Sequence, residues 1–260
     1  MKKNNKEFFN ENGYFISSQI FKNSEIEEAV KEGEKILDGF KKRKKEIEGN
    51  WPGNWKNDTD ENKSLLSCHN LQQHSSVFSR MIFNKRFLEI ASSLIGENIR
   101  LHHTKYHIKP KNSGARLPLH QDYHYFPFKQ NSMVAALIHL NDTSVENGCV
   151  CVMPKSNLNG PLEHIHDKSF YLDPLKYKIE DCIPIEANAG SVLFVNYLTV
   201  HGSYENKSEM DRPIFLVQMH EANDVRLKEV HISPDNGLLL SGAGLSPGME
   251  PFVDLSKTYS

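Results

Sequence analysis

The segment Leu119-His120-Gln121-Asp122-Tyr123-His124 sets an imidazole and a carboxylate two residues apart. On a β-strand such residues face the same way, so His120 and Asp122 would lie side by side, with His124 in phase beyond them. A third ligand must come from elsewhere in the chain. The best candidate is His201, in Leu198-Thr199-Val200-His201-Gly202-Ser203, just after the apolar run Val192–Val195. Two imidazoles and one carboxylate on one face of an iron leave three positions open, the arrangement of mononuclear non-haem Fe(II) oxygenases. A lone His-x-Asp is a weak signal. It gains weight here from His201 and from Arg212 eleven residues further on.

Iron chemistry of this kind needs an electron source. If that source is 2-oxoglutarate, its far carboxylate needs a cation at a fixed depth. Arg212 opens the β-prone run Arg212-Pro213-Ile214-Phe215-Leu216-Val217, and a guanidinium fork can bond both carboxylate oxygens. The Ser203 hydroxyl can add to the same carboxylate. His103, Lys105 and His107 alternate along one strand-like run, either as a solvated edge or as a cationic pocket wall that favours an anionic substrate. His124 reads as a pocket-lining or core histidine with its N–H satisfied and not as a fourth ligand, which would crowd out oxygen or 2-oxoglutarate; a substrate contact is compatible with either.

These groups need a scaffold. Residues 1–98 read mainly as helix and loop, with a capping-box spacing at Ser24 and Glu27 and a second helix from Lys85 to Leu94 closed by Gly96. Residues 41–63 are polar and read as a surface loop whose Trp51 and Trp55 either cover substrate or pin the loop. From residue 99 short β-prone runs take over: Ile99–Ile108, Leu119–Phe126, Met133–Leu140, Cys149–Met153, Ser191–Asn196 and Pro213–His220. Many short strands after a helical start predict a mainly β fold, a sandwich or jelly roll with flanking helices. No linker divides the chain, so a single domain over 1–260 is expected, with the β core at about 99–222 and an extension over 223–260.

With 31 basic and 33 acidic residues, the net charge of -2 gives no electrostatic reason to expect nucleic acid or an anionic membrane as partner. No apolar run is long enough to span a bilayer. The first residues carry no apolar stretch of the secretory kind, and four cysteines without a Cys-x-x-Cys pair are no secreted scaffold. A cytoplasmic protein is expected, monomeric or homodimeric, acting on a small molecule.

His120-Gln121-Asp122 with Tyr123-His124-Tyr125-Phe126-Pro127-Phe128, then Asn147-Gly148-Cys149, His201-Gly202-Ser203 and Arg212, resembles the phytanoyl-CoA dioxygenase family of Fe(II)/2-oxoglutarate oxygenases. The resemblance implies a double-stranded β-helix (jelly-roll, cupin-like) core. It implies iron on His120, Asp122 and His201, 2-oxoglutarate on Arg212 and Ser203 with Lys105 beside it, and O2 as the oxidant. Ile138 falls where relatives carry a Trp, and Lys105 where the usual choice is apolar. Halogenating relatives place a small residue where Asp122 stands, so a retained carboxylate implies hydroxylation, with release of succinate and CO2. Two other readings stay open: a jelly-roll binding or sensing protein without catalysis, and a cupin-like metalloenzyme that does not use 2-oxoglutarate.

Overall fold

The runs Val-Ala-Ala-Leu-Ile-His and Val-Leu-Phe-Val-Asn are apolar at almost every position, which is the pattern of strands covered on both faces. The computed structural model describes residues 3–42, 50–52, 64–166, 169–228, 233 and 235–244. Its elements run α1 (Lys3–Asn12), β1 (Tyr14–Ser17), α2 (Asn23–Lys42), β2 (Asn50–Pro52), β3 (Ser64–His69), α3 (Ser76–Ile82), α4 (Lys85–Leu94), β4 (Ile99–Lys109), β5 (Leu117–His120), β6 (Val134–His139), β7 (Val150–Val152), β8 (Ile165–His166), β9 (Phe170–Tyr171), β10 (Ile183–Ile185), β11 (Val192–Asn196), β12 (His201–Ser203), β13 (Arg212–Glu221) and β14 (Leu239–Ser241).

The large antiparallel sheet has the order β1-β11-β6-β13-β4-β3-β2, with β14 also on β4; a smaller sheet has the order β10-β7-β12-β5. Alternate side chains separate two cores. Ala135, Leu137, Leu193, Val195, Ile214 and Leu216 face inward and meet Val150, Val152 and Ile185 of the smaller sheet. Their neighbours Ala136, Ile138, Phe194, Phe215 and Val217 face outward and pack against the helices through Phe9, Ala29, Phe78, Phe87 and Ala91. Phe87 stacks on Phe194 at 5.9 Å, and the Phe78 ring lies 4.7 Å from that of Phe215. Two facing sheets with helices on one outer face make the expected jelly roll.

The α4 span matches the expectation, and Asn84 caps it by accepting from the Phe87 backbone N–H at 3.2 Å. α2 starts at Asn23, and its capping contact sits two residues earlier than the Ser24–Glu27 spacing suggests: the Lys22 N–H donates to the Glu25 carboxylate at 2.8 Å. The N-terminal part also holds three strands where only helix and loop were expected. β1 and β3 are short and acquire their conformation by pairing with β11 and β4, so their own sequences carry little signal. Trp51 lies in β2, paired with Leu65, and Trp55 lies outside the described residues. No helix among the described residues is long and apolar enough to cross a membrane.

Candidate metal centre and cosubstrate pocket

His120 closes β5 and His201 opens β12, and the two residues are direct cross-strand partners. Their rings lie 4.4 Å apart between centroids. Each ring is oriented by its own backbone: His120 Nδ1 donates to Pro118 O at 2.8 Å and His201 Nδ1 to Thr199 O at 2.9 Å. That tautomer turns both Nε2 atoms, with their lone pairs, toward a common point. Asp122 Oδ1 lies 3.5 Å from His120 Nε2 and 3.9 Å from His201 Nε2. One donor atom from each residue falls within 4.8 Å of the others. Three bonds of about 2 Å from these atoms to one ion fit this spacing. The donor set, two neutral imidazoles and a carboxylate, suits a ferrous ion.

The electrostatics point the same way. Burial pushes the Asp122 carboxyl up, but the close approach of His120 and the nearby His201 and Lys105 outweigh it and hold the group well below the usual carboxylate range. Burial, then His120, brings His201 down to about 4, so its imidazole is neutral and able to donate a lone pair at pH 7.

The strand expected over Leu119–Phe126 stops at His120, and Asp122–His124 forms a 3-10 turn instead. His124 therefore does not follow His120 and Asp122 into the pocket. Its Nε2 donates to Leu162 O at 2.7 Å, and its ring lies 4.0 Å from that of His164. The turn still delivers the Asp122 carboxylate because Gln218 captures it: Gln218 Nε2 donates to Asp122 Oδ2 at 2.7 Å. The Gln121 side chain, fully buried, donates to Leu198 O at 2.5 Å and Gly160 O at 2.9 Å and accepts from the Leu162 N–H at 2.8 Å. Its backbone N–H donates to His164 Nε2 at 2.9 Å. Gln121 thus ties the segment bearing two of the three clustered side chains to the segment that leads into His201. Sequence reading missed Gln121, Gln218 and His164, because a buried glutamine is recognisable only once its partners are known. In-phase spacing of Gln218 with Arg212, Ile214 and Leu216 was the one available signal.

A cavity of about 250 Å³ opens beside the three side chains and runs between the sheets. Lys105, His107 and Lys109 of β4, Ser203 of β12 and Arg212 of β13 all line it. Arg212 is the cross-strand partner of Lys109 and is 3% exposed. Its Nη2 donates to Gly148 O at 2.8 Å, and its Nε has no hydrogen-bond partner among the described residues. Burial brings Arg212 down to about 10, which leaves it charged at neutral pH. Burial, then Arg212, drives Lys109 well below its usual value, and Lys109 Nζ donates to the carbonyls of Ala115 and Tyr204. Arg212 is thus a charged group at this end with N–H groups left for an incoming carboxylate.

His103 departs from the expected face. A bulge between Gln218 and Met219 skips His102 in the β4–β13 register. The skipped residue breaks the strict alternation, so the His102 and His103 rings both lie against Phe126, at 4.9 and 5.6 Å. His103 does not line the cavity. Ile138 faces the helix-side core. Cys149, Cys151, Cys68 and Cys182 are buried, and none forms a disulfide among the described residues.

The sequence profile of phytanoyl-CoA dioxygenase (PhyH) matches residues 9–214. The chain is 27% identical over 238 residues to the peroxisomal phytanoyl-CoA dioxygenase of Bos taurus, covering 84% of this chain and 68% of that protein. It is 26% identical over 168 residues to a probable alpha-ketoglutarate-dependent hypophosphite dioxygenase of Stutzerimonas stutzeri, covering 60% of this chain and 57% of that one. Among solved structures, the non-heme alpha ketoglutarate dependent epimerase SnoN from nogalamycin biosynthesis superposes with a TM-score of 0.70 at 20% identity, over 85% of this chain and 84% of that one. The chain thus spans between about half and two thirds of the length of these curated relatives. Fold, site geometry and profile agree: the chain belongs to the phytanoyl-CoA dioxygenase family, whose members use Fe(II), 2-oxoglutarate and O2.

Proposed function

We propose that this protein is an Fe(II)- and 2-oxoglutarate-dependent dioxygenase that hydroxylates an aliphatic C–H of a small anionic substrate. One observation carries the reading: two imidazole Nε2 atoms and one carboxylate oxygen converge on the same cavity that Arg212 enters. His120, Asp122 and His201 would hold the iron. Arg212 and Ser203 would hold the far carboxylate of 2-oxoglutarate, and Lys105 lines the same wall. With iron held there, O2 would be the oxidant and 2-oxoglutarate the co-reductant, one oxygen atom going to the substrate and the other to succinate, with CO2 released.

The protein's own part is positioning. Gln218 holds Asp122 Oδ2 and so keeps Oδ1 toward the histidines. The backbone carbonyls of Pro118 and Thr199 hold the two Nδ1 protons and keep Nε2 unprotonated. Leu137, Val150, Ile214 and Leu216 line the space between Arg212 and the histidines, where they exclude water from an aliphatic chain. A relative named as a probable hypophosphite dioxygenase, for a small oxyanion, supports an anionic substrate. The 250 Å³ cavity favours a small one. A single domain over 1–260 and a reducing, cytoplasmic compartment complete the reading, the latter supported by four buried cysteines that form no disulfide among the described residues.

The test is anaerobic addition of Fe(II) and 2-oxoglutarate, followed by O2 and a substrate panel. A visible metal-to-ligand absorption band and substrate-dependent succinate are expected, and both should vanish in His120→Ala and Asp122→Ala. A coloured complex that never yields succinate would favour a binding or sensing protein. Turnover without 2-oxoglutarate would favour a different cupin-like metalloenzyme.

A further inference from the structure

Lys105 points inward from β4 between His69 of β3 and Leu216 of β13, and it lines the cavity. Among the described residues its ammonium makes no hydrogen bond and no ion pair. Lys105 is half-buried on the cavity wall, where partial loss of water disfavours its charge, and a ligand anion placed there would stabilise it. The carboxylate whose field reaches Lys105 is Asp122, but that group is already held by Gln218 and turned toward the two histidines. Lys109 is in a different position, since its amine is satisfied by two backbone carbonyls.

His107 is the next inward residue on β4. Its Nδ1 shares a hydrogen bond with Ser67 Oγ. When the Ser67 hydroxyl donates there, His107 presents an Nε2–H as a further donor. Burial first, then Lys105 and His69, disfavours a charge on this ring, so it supplies a hydrogen bond without adding repulsion.

We propose that Lys105 and His107 form a subsite for the anionic group of the organic substrate, distinct from the Arg212 end of the same cavity. The inference rests on the dioxygenase reading above and narrows it. Lys105 is opposite Leu216, one inward step from Gln218, and so lies level with the metal ligands. Arg212 is opposite Lys109, four residues away on β4. That separation is about 13 Å along a strand. An oxyanion at Lys105 therefore places the oxidised C–H within a few bonds of the charged group. A cavity of about 250 Å³ that also houses the cosubstrate admits only a few carbons beyond it. It falls below the ~300–1,000 Å³ of pockets that take drug-sized ligands. The substrate class is a short carboxylate or phosphorus oxyanion, oxidised close to its anionic end.

The test is calorimetric titration of the anaerobic Fe(II)·2-oxoglutarate protein with propionate, methylphosphonate and neutral propionamide. At least one anion should bind about tenfold or more tightly than the amide, and the stronger of the two identifies the oxyanion. Lys105→Met should weaken the anion about 10–100-fold while weakening 2-oxoglutarate far less, and Lys105→Arg should restore part of the loss. Equal binding of propionate and propionamide would overturn the subsite. So would equal losses for probe and 2-oxoglutarate in Lys105→Met, which would make Lys105 a cosubstrate residue. A complex blind to both anions sinks the subsite alone. Failure of the unsubstituted protein to form any Fe(II)·2-oxoglutarate complex sinks the parent reading, and the subsite with it.

Discussion

Gln218 on β13 donates to Asp122 Oδ2 at 2.7 Å, across 96 residues of sequence. The contact spans the gap between the two sheets. It compensates for the early end of β5, since the 3-10 turn at Asp122 would otherwise leave the carboxylate free to rotate.

The first prediction follows from that contact. Gln218→Leu should weaken ferrous binding about 10–100-fold while leaving His120 and His201 in place. Competition between the protein and a chromophoric chelator measures it. Unchanged metal affinity would mean that Asp122 is oriented by something other than Gln218.

Arg212→Gln removes the charge at the far end of the cavity. The dissociation constant of 2-oxoglutarate should rise about 10–100-fold, with metal affinity little changed. Arg212→Lys should recover only part, because a single ammonium cannot bond both carboxylate oxygens in a planar fork. Retention of full 2-oxoglutarate affinity in Arg212→Gln would revive a metalloenzyme that does without this cosubstrate.

Gly148 supplies the carbonyl that accepts from Arg212, and it does so at φ +84°. A Cβ there would sit 2.7 Å from Tyr204 O and 3.0 Å from Lys109 Cδ. Gly148→Ala should cost about 1–3 kcal/mol of stability, since both the left-handed backbone and the space oppose a side chain. It should also weaken 2-oxoglutarate by displacing Arg212. Urea unfolding and ligand titration of the same variant separate the two effects.

Acid should destabilise the fold through His139. This residue is fully buried, and burial, then Arg212, brings it down to about 4 from its ordinary 6.5, against a contact with Ser191 O at 3.2 Å. The native state then binds fewer protons than the unfolded chain. The contribution is complete above about pH 6.5 and is lost as the pH falls toward 4, by up to about 3 kcal/mol. Urea midpoints of the metal-free protein between pH 7.5 and 4 should fall less steeply in His139→Gln. Identical slopes in the two proteins would contradict the assignment.

The local sequence carried the two histidines, the carboxylate and the arginine through residue type and spacing, although Asp122 reaches the cluster from a 3-10 turn and not along a strand. It also carried α4 and the strands β4, β6, β7, β11 and β13, whose apolar patterns can be read locally, whereas β5 ends earlier than expected and the six-residue β3 gave no signal. What it could not carry was any feature created by non-local pairing. β12 is His-Gly-Ser, with no apolar signature, and becomes a strand only between β7 and β5. His124 looked equivalent to His120 and Asp122 until the chain turned at Asp122, and His103 looked equivalent to Lys105 until the bulge at His102 shifted the register. Gln121 and Gln218 are ordinary polar residues in the sequence and become the braces of the site only through carbonyls and a carboxylate tens of residues away. The chain thus specified which chemical groups were available. The tertiary fold decided which of them share a cavity, because a hydrogen bond needs its partner at about 3 Å, and only the packing of two sheets brings distant segments that close.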